Sequence, residues 1–295
     1  MAERTQLRDI RKRLPLRVLS PEDWEHWITR GYVVVRRAVP ADNVARLTRA
    51  LWEFEDMVPD DPGTWYTGRA GNQRLPGHSG LVEIYNHQAM WDNRQCERVY
   101  DAFVDIWDTT ALWVVIDFAN VNPPNRGNRE FTGFVHWDVD TSRRPLPISC
   151  QGVLSLSEGD EEIGGFQCVP GIFEKFDAWL AAQPDGRDPM TPDITGHEVV
   201  TVPVGPGDLI IFNSLLPHGV RPNRSADRVR MAQYISMAPA LEEDTALREH
   251  RVRFWRDRIP PHEHEGSTRK RERELYGRAE LTPLGERLLG LASWS

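Results

Sequence analysis

His136-Trp137-Asp138, with His218 eighty residues further on, is the part of this sequence best suited to do chemistry. On a β-strand, residues i and i+2 project from the same face. The His136 imidazole and the Asp138 carboxylate are therefore expected to converge on one metal ion. A second imidazole from a distant segment would complete a 2-His-1-carboxylate facial set. Such a set leaves cis coordination positions open and suits the Fe(II) of non-haem oxygenases. The neighbours fit strands: Phe134 to Val139 is flanked by apolar residues, and His218 follows Gly207-Asp208 and an apolar run from Leu209 to Phe212. Beyond it lies Arg228-Val229-Arg230-Met231-Ala232, a segment with strand composition and a basic start. Asp140 would share the face of Asp138 and competes with it as the carboxylate ligand.

The elements that must position these groups form a mainly β chain with flanking helices. Strands are predicted over 112–121, 134–140, 148–156, 165–169, 198–204, 208–214 and 228–238. Strands of that number, rich in β-branched residues and punctuated by Gly and Pro, indicate a sandwich or jelly roll. Ser20-Pro21-Glu22-Asp23 reads as a capping box opening a helix that Gly31 ends. Val44, Leu47, Leu51 and Phe54 form the apolar stripe of a second helix. A third is expected over 93–109, a short insertion over 173–180, and charged helices over 242–258 and 269–289. The stretch 59–80 reads as a long loop. Trp137, opposite the two ligands, is expected in the core. Glu83, Tyr85, Asn86, His87, Gln88 and Trp91 form a polar-aromatic cluster that could line a substrate pocket.

Composition narrows the function. The 295 residues can bury a large core and are expected to form one catalytic domain, 1–295. Within it we expect an N-terminal helical and strand part (about 18–110), a β core (111–240) and a C-terminal helical extension (241–295). A net charge of −8 argues against nucleic acid or an anionic membrane surface as partner. No apolar run approaches the roughly 20 residues needed to span a bilayer. The first residues lack the apolar core of a signal peptide, and three cysteines without metal spacing suit a reducing, cytoplasmic setting. Cys150 and Cys168 read as small core residues. His262-Glu263-His264-Glu265 reads as a solvated charge run, not a metal cluster. The oligomeric state stays open.

In order and content, these pieces resemble the phytanoyl-CoA dioxygenase (PhyH) superfamily of Fe(II)- and 2-oxoglutarate-dependent oxygenases. The resemblance rests on Gly31 to Val39, Asn122-Pro123-Pro124, His136-Trp137-Asp138, Glu161 to Gly171, Gly207-Asp208, His218-Gly219 and Asn223-Arg224-Ser225. It implies a double-stranded β-helix (jelly-roll, cupin-like) core, with His136, Asp138 and His218 as iron ligands. It further implies 2-oxoglutarate as cosubstrate, O2 as substrate, and an arginine 10 to 12 residues after the distal His as anchor of the cosubstrate's far carboxylate. Guanidinium suits that task because its planar fork pairs with a carboxylate through two parallel bonds. Arg228 and Arg230 both fit. Asp227-Arg228-Val229-Arg230 resembles the family's Asp-Arg-Pro-Arg, whose second arginine is the anchor, which favours Arg230 and leaves Arg228 as the alternative. On the strand that supplies a polar contact to the cosubstrate, Asn120 is the candidate. The implied reaction is hydroxylation of an unactivated C–H bond of a small-molecule metabolite, with release of succinate and CO2. A halogenase of related fold would lack the carboxylate that Asp138 provides. A zinc-binding or non-catalytic jelly-roll binding protein is the alternative.

Overall fold

The computed structural model describes residues 6–66, 80–126, 131–259 and 269–295. In chain order the elements are α1 (Pro21–Arg30), β1 (Tyr32–Val35), α2 (Ala41–Phe54), β2 (Leu81–Val82), α3 (Gln88–Arg94) and α4 (Glu97–Trp107). There follow β3 (Leu112–Val114), β4 (Ala119–Asn122), β5 (Cys150–Ser155), β6 (Gly165–Cys168), α5 (Pro170–Glu174) and α6 (Phe176–Ala181). Then come β7 (Val200–Thr201), β8 (Leu209–Asn213), β9 (His218–Arg221), β10 (Arg230–Tyr234), β11 (Met237–Pro239), α7 (Thr245–Asp257), α8 (Arg269–Leu275) and α9 (Pro283–Leu289).

A six-stranded antiparallel sheet runs β1-β8-β5-β10-β4-β2, and a three-stranded sheet runs β7-β6-β9. Strand periodicity divides the core between them. Along β8, Ile210 and Phe212 join Val153, Ala232, Phe166, Cys168 and Trp137 in the apolar layer between the two sheets. Leu209 and Ile211 face the other way, with Leu154 and Met231, onto α2 and α4. Adjacent residues of one strand thus serve two cores, and β8 reads as a continuous apolar run because both its faces are covered. This is the jelly roll with outer helices that the sequence implied.

Local chemistry explains the helix ends. Ser20 accepts from the Asp23 N–H at 3.0 Å and Asp23 accepts from the Ser20 N–H at 3.0 Å, completing the capping box. Gly31, at φ 82°, closes α1 in a left-handed conformation that only glycine adopts without steric cost. In α2, Val44, Leu47, Leu51 and Phe54 are all buried as the stripe required, each contributing roughly 1.5–3 kcal/mol of apolar transfer.

Several predicted strands are shorter or divided. The segment 112–121 breaks into β3 and β4 because the Asp117 carboxylate takes the Phe118 N–H (2.9 Å) and Arg94 takes the Asp117 carbonyl, so local side chains replace ladder bonds there. The segment 134–140 is not a strand: His136 alone bridges to His218, and the chain then leaves the sheet as the Trp137 N–H bonds Met190 O at 2.8 Å. The segment 198–204 contributes only β7, and 228–238 divides into β10 and β11. Strand β9, carrying His218, falls outside the expected strand ranges. The expected helix over 93–109 is α4, with the first two residues of that range closing α3, and the helix expected over 269–289 is divided into α8 and α9. Most of the expected loop 59–80, and His262-Glu263-His264-Glu265, lie outside the described residues. Among the described residues, no helix is long and apolar enough to cross a membrane.

The segment before α1 is tied to α4 by two carboxylates. Asp105 accepts the N–H groups of Arg17, Val18 and Leu19, and Asp108 accepts those of Arg13 and Leu14. Asp108 is 1% exposed. Its burial would raise the pKa, but the Leu14 N–H, the Arg13 side chain and N–H, and the Lys12 charge outweigh it and lower it to about 2. A carboxylate depressed on folding contributes stability that is complete above the unfolded value and is lost as pH falls through the folded one. Asp108→Asn keeps the shape and tolerates the left-handed backbone here (φ 54°). It should be about 2 kcal/mol less stable than the parent at pH 7, with the gap closing between about pH 4 and pH 2. Urea denaturation across that range measures it. A gap independent of pH would show that the charge is not the source.

Candidate metal centre

His136 and His218 meet as an antiparallel pair, His136 N–H to His218 O at 2.8 Å and His218 N–H to His136 O at 3.0 Å. The approach is close because the next residue is Gly219: a Cβ there would stand 1.7 Å from the Phe134 carbonyl oxygen. The pairing places both rings on one face, 4.8 Å apart by centroid. Each ring is also held at Nδ1, His136 against His218 O (3.1 Å) and His218 against Leu216 O (3.0 Å). Carbonyls accept only, so both Nδ1 atoms donate and both Nε2 atoms present lone pairs.

Those lone pairs face a carboxylate. His136 Nε2 lies 2.8 Å from Asp138 Oδ1 and His218 Nε2 lies 3.3 Å from Asp138 Oδ2. Acceptors facing acceptors at these distances require a cation between them, a proton or a metal ion. The ligand atoms of the three residues all lie within 4.8 Å of one another, and among the described residues no other set of three such side chains does. Burial works against the charge on Asp138, but a proton shared from Nε2 of His136 or His218, and the charge it brings to the ring, outweigh it and hold the pKa well below the usual carboxylate range. Gln151 donates to Asp138 Oδ2 at 2.6 Å, orienting the carboxylate from outside the trio. The donor set and its tautomers fit a divalent iron.

The convergence of His136 and Asp138 does not come from strand periodicity as expected, since no strand runs there. Trp137, fully buried with its indole N–H on Leu215 O at 2.9 Å, pins the turn that swings Asp138 back. It is a core residue, as expected. Asp140 is elsewhere: its carboxylate accepts from the Ser142 N–H and hydroxyl, and it is not in the trio.

The trio opens into a cavity of about 790 Å³ between the two sheets. Phe166 and Phe212 pack on His218, and Phe134 on His136. Arg230, the first residue of β10, lines the cavity while only 4% exposed. Its Nη1 donates to Asn120 Oδ1 at 3.1 Å, so two of the expected cosubstrate contacts adjoin each other. Burial lowers the Arg230 pKa, and among the described residues no carboxylate pairs with it. Leaving a buried cation without an anion is costly, so this geometry favours an anionic ligand.

Arg228 does not share that position. It precedes β10, its side chain is 37% exposed, and it pairs with Asp160 (2.6 Å) and Glu162 (2.9 Å) outside the cavity. The two arginines part because the strand begins only at Arg230. The Glu83–Trp91 cluster also lies elsewhere. The N–H groups of Tyr85 and Asn86 donate to Glu272, and Gln88 bonds Glu280 O, so this stretch docks the C-terminal extension. Sequence reasoning missed Gln151, Asp117 and Tyr234 in the cavity wall. Gln151 was findable, as the polar member of a period-two face with Val153 on a predicted strand; Asp117 sits where the ladder breaks and left no such signal.

A jelly roll holding a His-Asp-His set is the architecture of non-haem iron oxygenases. The chain belongs to the phytanoyl-CoA dioxygenase (PhyH) family of Fe(II)- and 2-oxoglutarate-dependent oxygenases, whose model matches residues 27–232. It is 25% identical over 246 residues to Ava biosynthesis cluster protein O of Aspergillus versicolor, covering 74% of this chain and 77% of that protein. The fold is similar to a Salmonella typhimurium LT2 protein described as an oxidoreductase, with a TM-score of 0.70 and 17% identity over 92% of this chain and 83% of that one. It is also similar to HygX of Streptomyces hygroscopicus, crystallised with nickel and 2-oxoglutarate, with a TM-score of 0.51 and 14% identity over 76% of this chain and 88% of that one.

Proposed function

We propose that this protein hydroxylates an unactivated C–H bond of a small-molecule metabolite, consuming 2-oxoglutarate and O2 and releasing succinate and CO2. The observation that carries the cosubstrate reading is Arg230, a buried guanidinium beside Asn120 with no acidic partner among the described residues, in the cavity that holds the histidine–carboxylate trio. His136, Asp138 and His218 would hold the iron, and Arg230 with Asn120 would take the far carboxylate of 2-oxoglutarate.

When bound, the iron supplies the redox chemistry that couples O2 and 2-oxoglutarate to oxidation of a C–H bond. The chain's own groups do the rest. Backbone carbonyls fix the imidazole tautomers, so both Nε2 atoms are ready as ligands without a proton to lose. Asp138 is ionised at all physiological pH values and neutralises part of the metal charge. Arg230 binds and orients the dicarboxylate by charge and by its fork. Phe118, Phe134, Phe166 and Phe212 give the cavity apolar walls that exclude water from the reacting region.

Metal-dependent succinate formation tests the proposal. After anaerobic reconstitution with Fe(II), the protein given 2-oxoglutarate and O2 should produce succinate, and the zinc-loaded protein should produce none. Absence of succinate with stoichiometric iron would favour a binding protein instead.

A further inference from the structure

Leu81, Val115, Phe118 and Phe134 give the cavity apolar walls, and Asp117 is a carboxylate in the same lining. Asp117 is partly exposed, and the space it meets is the cavity. One oxygen accepts the Phe118 N–H at 2.9 Å; the other accepts no hydrogen bond from any described residue. Arg94 stands behind it but spends its two terminal nitrogens on the carbonyls of Tyr85 and Asp117. Asp138, the other acid in the lining, is engaged by both histidines and Gln151. Beside the two histidines of the trio, Arg230 is the one basic side chain in the described lining. Burial raises the pKa of Tyr234, another lining residue, with Arg230 lowering and Asp117 raising it.

We propose that Asp117 is the recognition group for the prime substrate, and that this substrate is a small organic amine: an ammonium group carried on an apolar body. The reading rests on the proposed function for the position of the reacting end, and on the cavity wall for the chemical class. An ammonium can donate to the open Asp117 oxygen and make the direct ion pair that Arg94, committed to backbone carbonyls, does not make. An anionic substrate would meet the Asp117 carboxylate, and Arg230, the one arginine or lysine in the described lining, is the group assigned to the cosubstrate. The state of Asp117 is consistent with this. Burial raises its pKa to about 6, against the lowering by the Phe118 N–H and the Arg94 charge, as expected of a desolvated carboxylate short of cationic partners.

Calorimetric binding of three matched probes tests the proposal, with the full chain loaded with Mn(II), without oxygen, with and without 2-oxoglutarate. The probes are cyclohexylmethylamine, cyclohexylmethanol and cyclohexanecarboxylate. The experiment is run at about pH 8, where Asp117 is ionised and the amine protonated. The parent protein should bind the amine about tenfold or more tighter than the alcohol, and the carboxylate more weakly still. Asp117→Asn keeps an oxygen for the Phe118 N–H, so it should fold; it should bind amine and alcohol alike, with metal and 2-oxoglutarate affinities unchanged. Equal binding of amine and alcohol by the parent, a preference for the carboxylate, an amine preference that survives in Asp117→Asn, or no amine binding at about 10 mM would each overturn it. Failure of 2-oxoglutarate to bind, with the amine preference intact, would remove the cosubstrate reading and leave this one standing.

Discussion

Replacing His136, Asp138 or His218 by Ala should yield a folded protein that no longer retains iron and forms no succinate. Outer partners of metal ligands typically cost 10–100-fold in metal affinity, so loss of a ligand itself should exceed about 100-fold. After reconstitution and desalting, iron should fall below about a tenth of an equivalent in each variant. Folding should survive in two of them because the side chains of His136 and Asp138 are 30% and 40% exposed and leave no core cavity. His218 differs: it packs against Phe166 and Phe212 and is 6% exposed. Its truncation should also cost stability, on the order of 1–3 kcal/mol, so a thermal melt must accompany its iron measurement. Near-stoichiometric iron in any two of the three variants would sink the assignment of the trio as the metal site.

The second large effect separates two arginines that the sequence places two residues apart. Arg230→Lys should weaken 2-oxoglutarate binding although charge is kept, because one ammonium cannot reproduce two parallel hydrogen bonds and must also satisfy Asn120. Loss of such a contact with the partner carboxylate left buried costs roughly 2–4 kcal/mol, a rise in KM of roughly 30- to 1000-fold. Arg228→Lys should change KM by a few-fold at most, since its partners Asp160 and Glu162 lie outside the cavity and exposed pairs contribute little. Titrating 2-oxoglutarate at saturating iron compares them directly. The reverse ranking would place the anchor at Arg228; small effects in both would mean that the cosubstrate is held elsewhere or is not 2-oxoglutarate.

Residue type and local period carried much of this protein's description. The capping box at Ser20, the stripe of α2 and the doubly apolar run of β8 depend on neighbours a few residues away, and these can be read in order along the chain. The metal-binding types, His136, Asp138 and His218, were legible for the same reason, because coordination chemistry belongs to the side chain. Their geometry was not. His136 and Asp138 converge through one bridge to His218 and a turn pinned by Trp137, not through a strand of their own.

The local motif favoured Arg230 and left Arg228 as the alternative; in the fold, Asp160 and Glu162 from a distant turn draw Arg228 away while Asn120 meets Arg230. The stretch Tyr85–Gln88 looks like a pocket wall until Glu272 and Glu280, nearly two hundred residues later, occupy its donors. Asp117 acquires significance only where β3 and β4 part and leave one of its oxygens facing the cavity. Desolvation and long-range hydrogen bonds depend on which remote segments meet, and no local pattern encodes that pairing. The tertiary structure therefore decided which of the polar residues face the cavity and which of them already have partners.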